Sequence, residues 1–262
     1  MNALQILSMN ALVIFAITTS LWLLSLRLKD TSIIDLFWGV GFVIIGWVTF
    51  GVVGFSGKGV CLVVCCTLWG LRLSLYLAWR NHGGPEDYRY AAMRSRHGKS
   101  FWWISLITIF WLQGTVMWVI ALPIQIGQHG GGHMTSFGLL GVVIWLVGFY
   151  FEAVSDFQLA RFKRKGNGVM DQGLWRYSRH PNYFGNALIW WGLTLIAIQP
   201  QTWWLIISPT LMTFLLLKVS GVALLERSLS KRSAEYRAYM LRTSPFFPLP
   251  PKTLQTKLDA DG

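Results

Sequence analysis

Long runs of apolar residues alternate with short polar segments along the whole chain, and that alternation sets the fold class. A helix needs about 20 apolar residues to cross the hydrocarbon core of a bilayer. Runs near 3–26, 33–54, 59–80, 101–126, 136–160, 184–200 and 203–226 meet or approach that length. They predict about seven spanning helices in one all-α bundle, a polytopic integral membrane protein. The sixth run is short and stops at Gln199-Pro200-Gln201, which predicts a tight helical hairpin with the seventh. The first run is longer than a signal-peptide core and lacks a basic start or a small-residue cleavage site, so it is expected to be a true span. No internal repeat interrupts the pattern, and the chain reads as one membrane-embedded domain, 1–262.

Composition agrees with that reading. Hydrophobic residues make up 53% of the chain and charged residues 13%, against roughly 25% charged in soluble domains. The net charge of +12 would also suit a nucleic-acid binder, but the bases are confined to loops. One loop has Arg27 and Lys29; the next has Arg80, Arg89, Arg94, Arg96 and Lys99. A third has Arg161, Lys163, Arg164, Lys165, Arg176 and Arg179, and the tail has Arg227, Lys231, Arg232, Arg237, Arg242, Lys252 and Lys257. These regions alternate with nearly base-free ones, so the positive-inside rule puts the N-terminus outside and the C-terminus in the cytoplasm. Cys61, Cys65 and Cys66 lie inside an apolar run without a CxxC pair, which reads as packing rather than metal binding. The loop Gln128-His129-Gly130-Gly131-Gly132-His133 has two histidines but no third ligand nearby, and reads as a connection. No G-x-G-x-x-G or Walker pattern occurs, which excludes Rossmann and P-loop sites at the level of motifs.

A charged group near the bilayer centre costs at least about 2.5–3.5 kcal/mol, so polar residues inside the runs are candidates for function. They are Asp35, Arg72, Gln113, Glu152, Asp156, Lys218 and Glu226. Lys218 and Arg72 fit either a structural ion pair or a ligand contact. Asp35 is too short to reach the headgroups. It is either a helix cap or a neutral carboxylic acid that donates a hydrogen bond to a substrate carbonyl. The loop from Arg80 through Asn81, His82, Gly83, Gly84, Pro85, Glu86 and Asp87 to Tyr90 is dense in hydrogen-bonding groups. The polar stretch before the sixth run combines Arg176, Arg179 and His180 with Asn182, Tyr177 and Tyr183, and Pro181 stands where a helix begins. A helix start flanked by cations suits a phosphate or a carboxylate.

Gly173-Leu174-Trp175-Arg176-Tyr177-Ser178-Arg179-His180-Pro181-Asn182-Tyr183-Phe184-Gly185 resembles a signature shared by several membrane enzymes. These are steroid 5α-reductases, sterol C14 and Δ7 reductases, isoprenylcysteine carboxyl methyltransferases and phospholipid methyltransferases. The tail 218–227, followed by Tyr236, Tyr239, Thr243 and Pro245, resembles one branch: bacterial proteins of unassigned function grouped with the steroid 5α-reductase C-terminal domain. Segments 35–39, 69–72 and 86–90 also resemble that branch, so the likeness covers most of the chain. It implies an NADPH site in 136–250, built on Asp156, the basic run Arg161, Lys163, Arg164 and Lys165, and Asn182-Tyr183-Phe184-Gly185. Arg72, Asn81, Glu86, Tyr177, Arg179, His180, Glu226 and Tyr239 complete the implied cofactor set. It implies substrate contacts in 1–100 from Asp35, Trp38 and Trp69, with Asp35 in place of the family's catalytic glutamate. Trp69 falls where the family has a substrate-binding tyrosine, so the proton donor is expected to be Tyr88 or a water. Asn186 also departs from the family, which has an acid there.

The expectation is an NADPH-dependent reductase of the C=C bond of a lipid-soluble enone, of the 3-oxo-Δ4-steroid type, in a bacterial inner membrane. NADPH carries a pyrophosphate and a ribose phosphate, which the basic loops could hold by charge-assisted hydrogen bonds. The rival enzyme is an S-adenosylmethionine-dependent isoprenylcysteine or phospholipid methyltransferase, and the non-enzymic rival is a lipid-binding membrane protein. Neither nucleic acid nor a metal is expected as a partner.

Overall fold

In hydrocarbon a backbone finds no water to bond, so the apolar runs must close their hydrogen bonds internally, as helices. The computed structural model describes residues 1–129, 133–166, 168–219, 221–222, 226 and 233–252. The helices, in chain order, are α1 (Ala3–Leu28), α2 (Ile33–Val53), α3 (Gly57–Asn81), α4 (Tyr88–His97) and α5 (Phe101–Ser105). After a π-helical turn over Leu106–Trp111 come α6 (Leu112–Ile120), α7 (Leu122–Gln128), α8 (Ser136–Lys165) and α9 (Pro181–Ala197). A 3-10 segment, Pro200–Ile206, leads into α10 (Ile207–Phe214) and a second π turn, Leu215–Val219; α11 (Ala234–Arg242) follows. No strand occurs among the described residues, whose one isolated bridge pairs Ser178 with Ser244. The expected contributions of Gly130, Gly131, Gly132, Arg227, Lys231, Arg232, Lys257 and the Lys165 side chain lie outside the described residues.

Among the described residues, six helical stretches are long and apolar enough to cross a membrane: Ala3–Leu28, Ile33–Val53, Gly57–Asn81, Tyr88–Ile120, Ser136–Arg164 and Pro200–Val219. The protein is therefore an all-α integral membrane protein. The remaining expected span, α9, has 17 residues, or about 26 Å at 1.5 Å per residue, just short of the ~30 Å hydrocarbon core. The expected 101–126 helix breaks at Ala121, where Pro123 sits in the first turn of α7; a proline cannot give the backbone hydrogen bond that would continue the helix. The polar segment 88–97, read as part of a loop, is helical because Asp87 caps its first turn.

The chain forms two compact units, residues 1–142 with 193–208 and residues 143–192 with 209–262. In the first unit α2 and α3 meet backbone to backbone. A Cβ on Gly39 would stand 2.2 Å from the Gly70 carbonyl oxygen, so neither glycine can be enlarged without parting the helices. Trp69, fully buried, packs on Phe42 at 5.5 Å, and Phe42 meets the edge of Trp38 at 5.5 Å. In the second unit α8 and α9 use the same device. A Cβ on Gly185 would come within 2.5 Å of the Glu152 nitrogen and 2.6 Å of the Gly148 oxygen. Ala187, Val222 and Phe246 form a small core there, with Tyr183, Phe184 and Leu216 packed around it.

Candidate functional site

In the first unit a polar network closes over the start of α2. Asp87, at the N-cap of α4, accepts from the Arg89 N–H at 2.9 Å, and its own N–H donates to Ser32 Oγ at 2.8 Å. Glu86 accepts from Thr31 N–H at 2.8 Å and from Arg94 at 2.7 and 3.1 Å. The 86–87 corner is thus tied to the turn that launches α2 and presents Asp35. Burial alone would push the Glu86 carboxyl up, but the Arg94 and Thr31 hydrogen bonds outweigh it and hold the group below the usual carboxylate range. Asp87 is likewise held low, with Arg89 and then Arg80 overcoming its burial.

Capping at Asp87 also sets the phase of α4. Tyr88 stands at the first position and is 65% exposed; Tyr90, two residues on, is buried. Its hydroxyl donates to Asp35 Oδ1 at 2.7 Å and accepts from Gln113 Nε2 at 3.0 Å. Arg89 Nη2 donates to Asp35 Oδ2 at 2.9 Å. Both oxygens of Asp35 therefore face donors, one of them a guanidinium. The expected neutral acid aimed at a substrate is, in this arrangement, an acceptor in an ion pair. Next to the network lies a cleft of about 440 Å³ lined by Asp30, Ser32, Leu36, Arg80, Asn81, His82 and Asp87 among others.

The second unit builds the His-Pro stretch. Gly173 opens it with φ +59°, and a Cβ there would meet the Gln158 amide at 2.5 Å, so glycine is required. The turn Gly173–Arg176 is fastened by Trp175 Nε1 donating to the Ser155 carbonyl at 3.0 Å and by the Tyr239 hydroxyl donating to the Trp175 carbonyl. Ser178 Oγ donates to the Phe246 carbonyl at 2.8 Å, and the Arg179 N–H donates to the Ser244 carbonyl at 2.8 Å. Pro181 then begins α9.

Four charged or polar partners converge on that start. Arg179 Nη2 lies 3.1 Å from Glu226 Oε1, and His180 Nε2 lies 3.4 Å from the same oxygen. The His180 ring stacks on Tyr183 with centroids 5.4 Å apart. Asn182 Nδ2 donates to Asp156 Oδ1 at 3.2 Å, and Asn186 Nδ2 donates to Glu152 Oε2 at 3.4 Å. Arg179 Nε and Asn186 Oδ1 are buried with no hydrogen-bond partner among the described residues. Burial, with Glu226 nearby, pushes the Tyr236 phenol up to about 12; burial with Tyr236 nearby pushes Tyr239 up as well.

The expected site residues take the following places. Tyr90, not Tyr88, is the phenol at Asp35. Glu86 is held by Arg94 and Thr31, and Tyr239 fastens the 173–178 turn. Trp69 is fully enclosed by protein and leaves no face for a substrate. Arg179 and His180 are met by the chain's own Glu226 rather than left open. Asn81 accepts from Arg80 Nε at 3.1 Å, and the Arg72 guanidinium lies 6.0 Å from the Tyr76 ring. Arg161, Lys163 and Arg164 are exposed at the end of α8, and Tyr177 is exposed in the turn. Sequence reasoning missed the Asp35–Tyr90 contact; the signal that could have found it is Asp87 as an N-cap, which turns the third residue of the helix inward and the first outward.

An uncharacterised protein of Schizosaccharomyces pombe, C594.04c, is 27% identical over 286 aligned positions, which cover 89% of this chain and 77% of the relative. No solved structure matches the chain significantly. The family model described as "Protein of unknown function (DUF1295)" matches residues 21–243, and the chain belongs to that family.

Proposed function

We propose that this protein is an NADPH-dependent reductase of the C=C bond of a lipid-soluble enone, of the 3-oxo-Δ4-steroid type. The observation that carries the reading is the Tyr90 hydroxyl hydrogen-bonded to Asp35 and held by Gln113. Conjugate reduction needs an acid that polarises the ketone and then delivers one proton. A methyl transfer to a carboxylate or amine needs neither. The departure at Trp69 thus has a candidate replacement in Tyr90.

The cofactor fit rests on the second unit. The unpaired Nε of Arg179 leaves part of its guanidinium fork unspent, and Arg161, Lys163 and Arg164 offer an exposed basic surface. Arg179, Arg161, Lys163 and Arg164 would hold the phosphates, and the Asp156–Asn182 pair would present hydrogen bonds to the sugar or amide. When bound, NADPH supplies the hydride. The chain's own share is to bind and orient it, to exclude water with apolar walls, and to offer a proton at Tyr90. In this reading the basic loops face the cytoplasm of a bacterial inner membrane, and the substrate arrives from lipid.

One observation favours the methyltransferase reading. Glu226 already pairs with Arg179 and lies beside His180, and S-adenosylmethionine, with a single carboxylate and a sulfonium, needs fewer free cations than a dinucleotide. The test is purified protein in lipid nanodiscs, incubated with NADPH and a panel of enones. A product heavier by two hydrogens supports the reductase. Binding of S-adenosylmethionine without NADPH binding or reduction overturns it.

A further inference from the structure

α2 ends and α3 begins far from Asp35: Val53, the last residue of α2, is about 27 Å along the helix from Asp35 at 1.5 Å per residue. Gly54, Phe55 and Ser56 join the two helices. Gly54 turns the chain with φ +87°, and Ser56 caps α3 by accepting from the Gly59 N–H at 3.0 Å. A cavity of about 300 Å³ opens at this corner, lined by Val52, Gly54, Phe55, Ser56, Gln128 and His129 among others. The negative end of the α2 dipole and the positive end of the α3 dipole therefore meet beside it.

Two buried side chains give the corner its chemistry. Gln128, at the end of α7, is 1% exposed, and its Nε2 donates to the Gly46 carbonyl at 3.1 Å. That carbonyl can only accept, so the amide cannot be turned round and Oε1 is fixed on the other side. There Oε1 is buried with no donor among the described residues. It lies against the first turn of α3, where a Cβ on Gly59 would stand 3.8 Å from it. Lys58, in the same turn, is 3% exposed and has no carboxylate partner among the described residues. An acceptor and a cation are each costly to keep alone in a low-dielectric site. One calls for a donor, the other for an anion.

We propose that this cavity binds the headgroup of a phospholipid carrying a primary ammonium, of the phosphoethanolamine type. The ammonium donates to Gln128 Oε1 and to the last carbonyls of α2, and the phosphate pairs with Lys58 and the first N–H groups of α3. A free anion would satisfy Lys58 and leave Oε1 without a donor. A metal ion would meet Oε1 but add positive charge beside Lys58. A zwitterion answers both. The volume is at the lower end of small-molecule sites, about 300–1,000 Å³, which suits a headgroup whose acyl chains stay in lipid. Phe55 and Val52, both exposed, give those chains an apolar rim. The lipid is held and not transformed, so the site is independent of the reductase reading.

The test is native mass spectrometry of protein released from nanodiscs that contain equal amounts of phosphatidylethanolamine, phosphatidylcholine and phosphatidylglycerol. The choline nitrogen has no N–H to give Gln128, and the glycerol headgroup has no ammonium. Wild type should retain one phosphatidylethanolamine about 10-fold over either of the others. Gln128→Leu should bring phosphatidylethanolamine and phosphatidylcholine to parity, and Lys58→Met should lower the retention of both. Retention of none of the three, equal retention of all, or a preference for phosphatidylglycerol in wild type overturns the proposal. So does an ethanolamine preference undiminished in Gln128→Leu, or wild-type retention in Lys58→Met. If Gln128→Leu does not fold, the wild-type order of the lipids and Lys58→Met decide.

Discussion

The two units each set arginine against carboxylate, and they do it in opposite ways. At Asp35 the ion pair is about one-third exposed on the arginine side, and each member is bonded to further donors and acceptors. At Glu226 the arginine is 7% exposed and the histidine 4%, and the Arg179 Nε has no partner. The first pair is partly exposed and shares its charge with Asp87 and the Tyr90 hydroxyl, whereas the second depends on its internal carboxylate. The lesson is that the Asp35 pair spreads its charge over several partners, whereas the Arg179 pair leans on one carboxylate.

The largest effect expected from that contrast is in stability. Arg179→Met should cost about 3–5 kcal/mol, because it strands Glu226 without its buried partner. Arg89→Met should cost less, about 1 kcal/mol, since its pair is partly exposed. Thermal unfolding in one detergent compares them, and equal losses would erase the distinction. Next in size is Tyr90→Phe, which removes the donor to Asp35 and the acceptor for Gln113, at about 1–3 kcal/mol. Tyr88→Phe, at an exposed position, should stay within about 0.5 kcal/mol; a Tyr88 effect as large as that of Tyr90 would reverse the assignment of the phenol.

The pH responses of the units should differ too. Glu86 and Asp87 are held below their ordinary range, so their contribution is complete above about pH 4.3 and fades as pH falls through the folded-state value. Tyr236 is raised to about 12, so its contribution is complete below the ordinary phenol value and fades as pH climbs from about 10 to 12. Arg94→Gln should flatten the acid limb alone, and Tyr236→Phe the alkaline limb alone, by chemical or thermal unfolding across pH. The smallest effect is ionic: NADPH affinity should weaken modestly as salt rises, because exposed Arg161, Lys163 and Arg164 are screened. Calorimetric titration showing no salt response would remove them from the phosphate site.

Much of the fold was legible because length and apolar character are additive along a run: α1, α2, α3 and α8 start within a few residues of their expected positions. What escaped depends on local exceptions. The π turns at Leu106–Trp111 and Leu215–Val219 and the break before Pro123 change helix phase without changing hydropathy. α4 is too polar to show in an apolar count, yet its cap decides which tyrosine meets Asp35. The chemical types at the site were legible: an acid entering α2, Asp156 late in α8, Asn182 at the start of α9, and cations before α9. Their pairing was not, since Glu226 on Arg179 and Arg89 on Asp35 join residues 47 and 54 positions apart. Spacing alone cannot choose among the acids available to each base.

The most direct test follows a label. Wild-type protein, an enone and NADPH carrying deuterium at the transferable nicotinamide position should give a saturated ketone with one deuterium from the cofactor and one hydrogen from solvent, and Tyr90→Phe should lose that product. An unlabelled enone recovered unchanged, together with a methyl group passed from S-adenosylmethionine to lipid by the same preparation, would contradict the account.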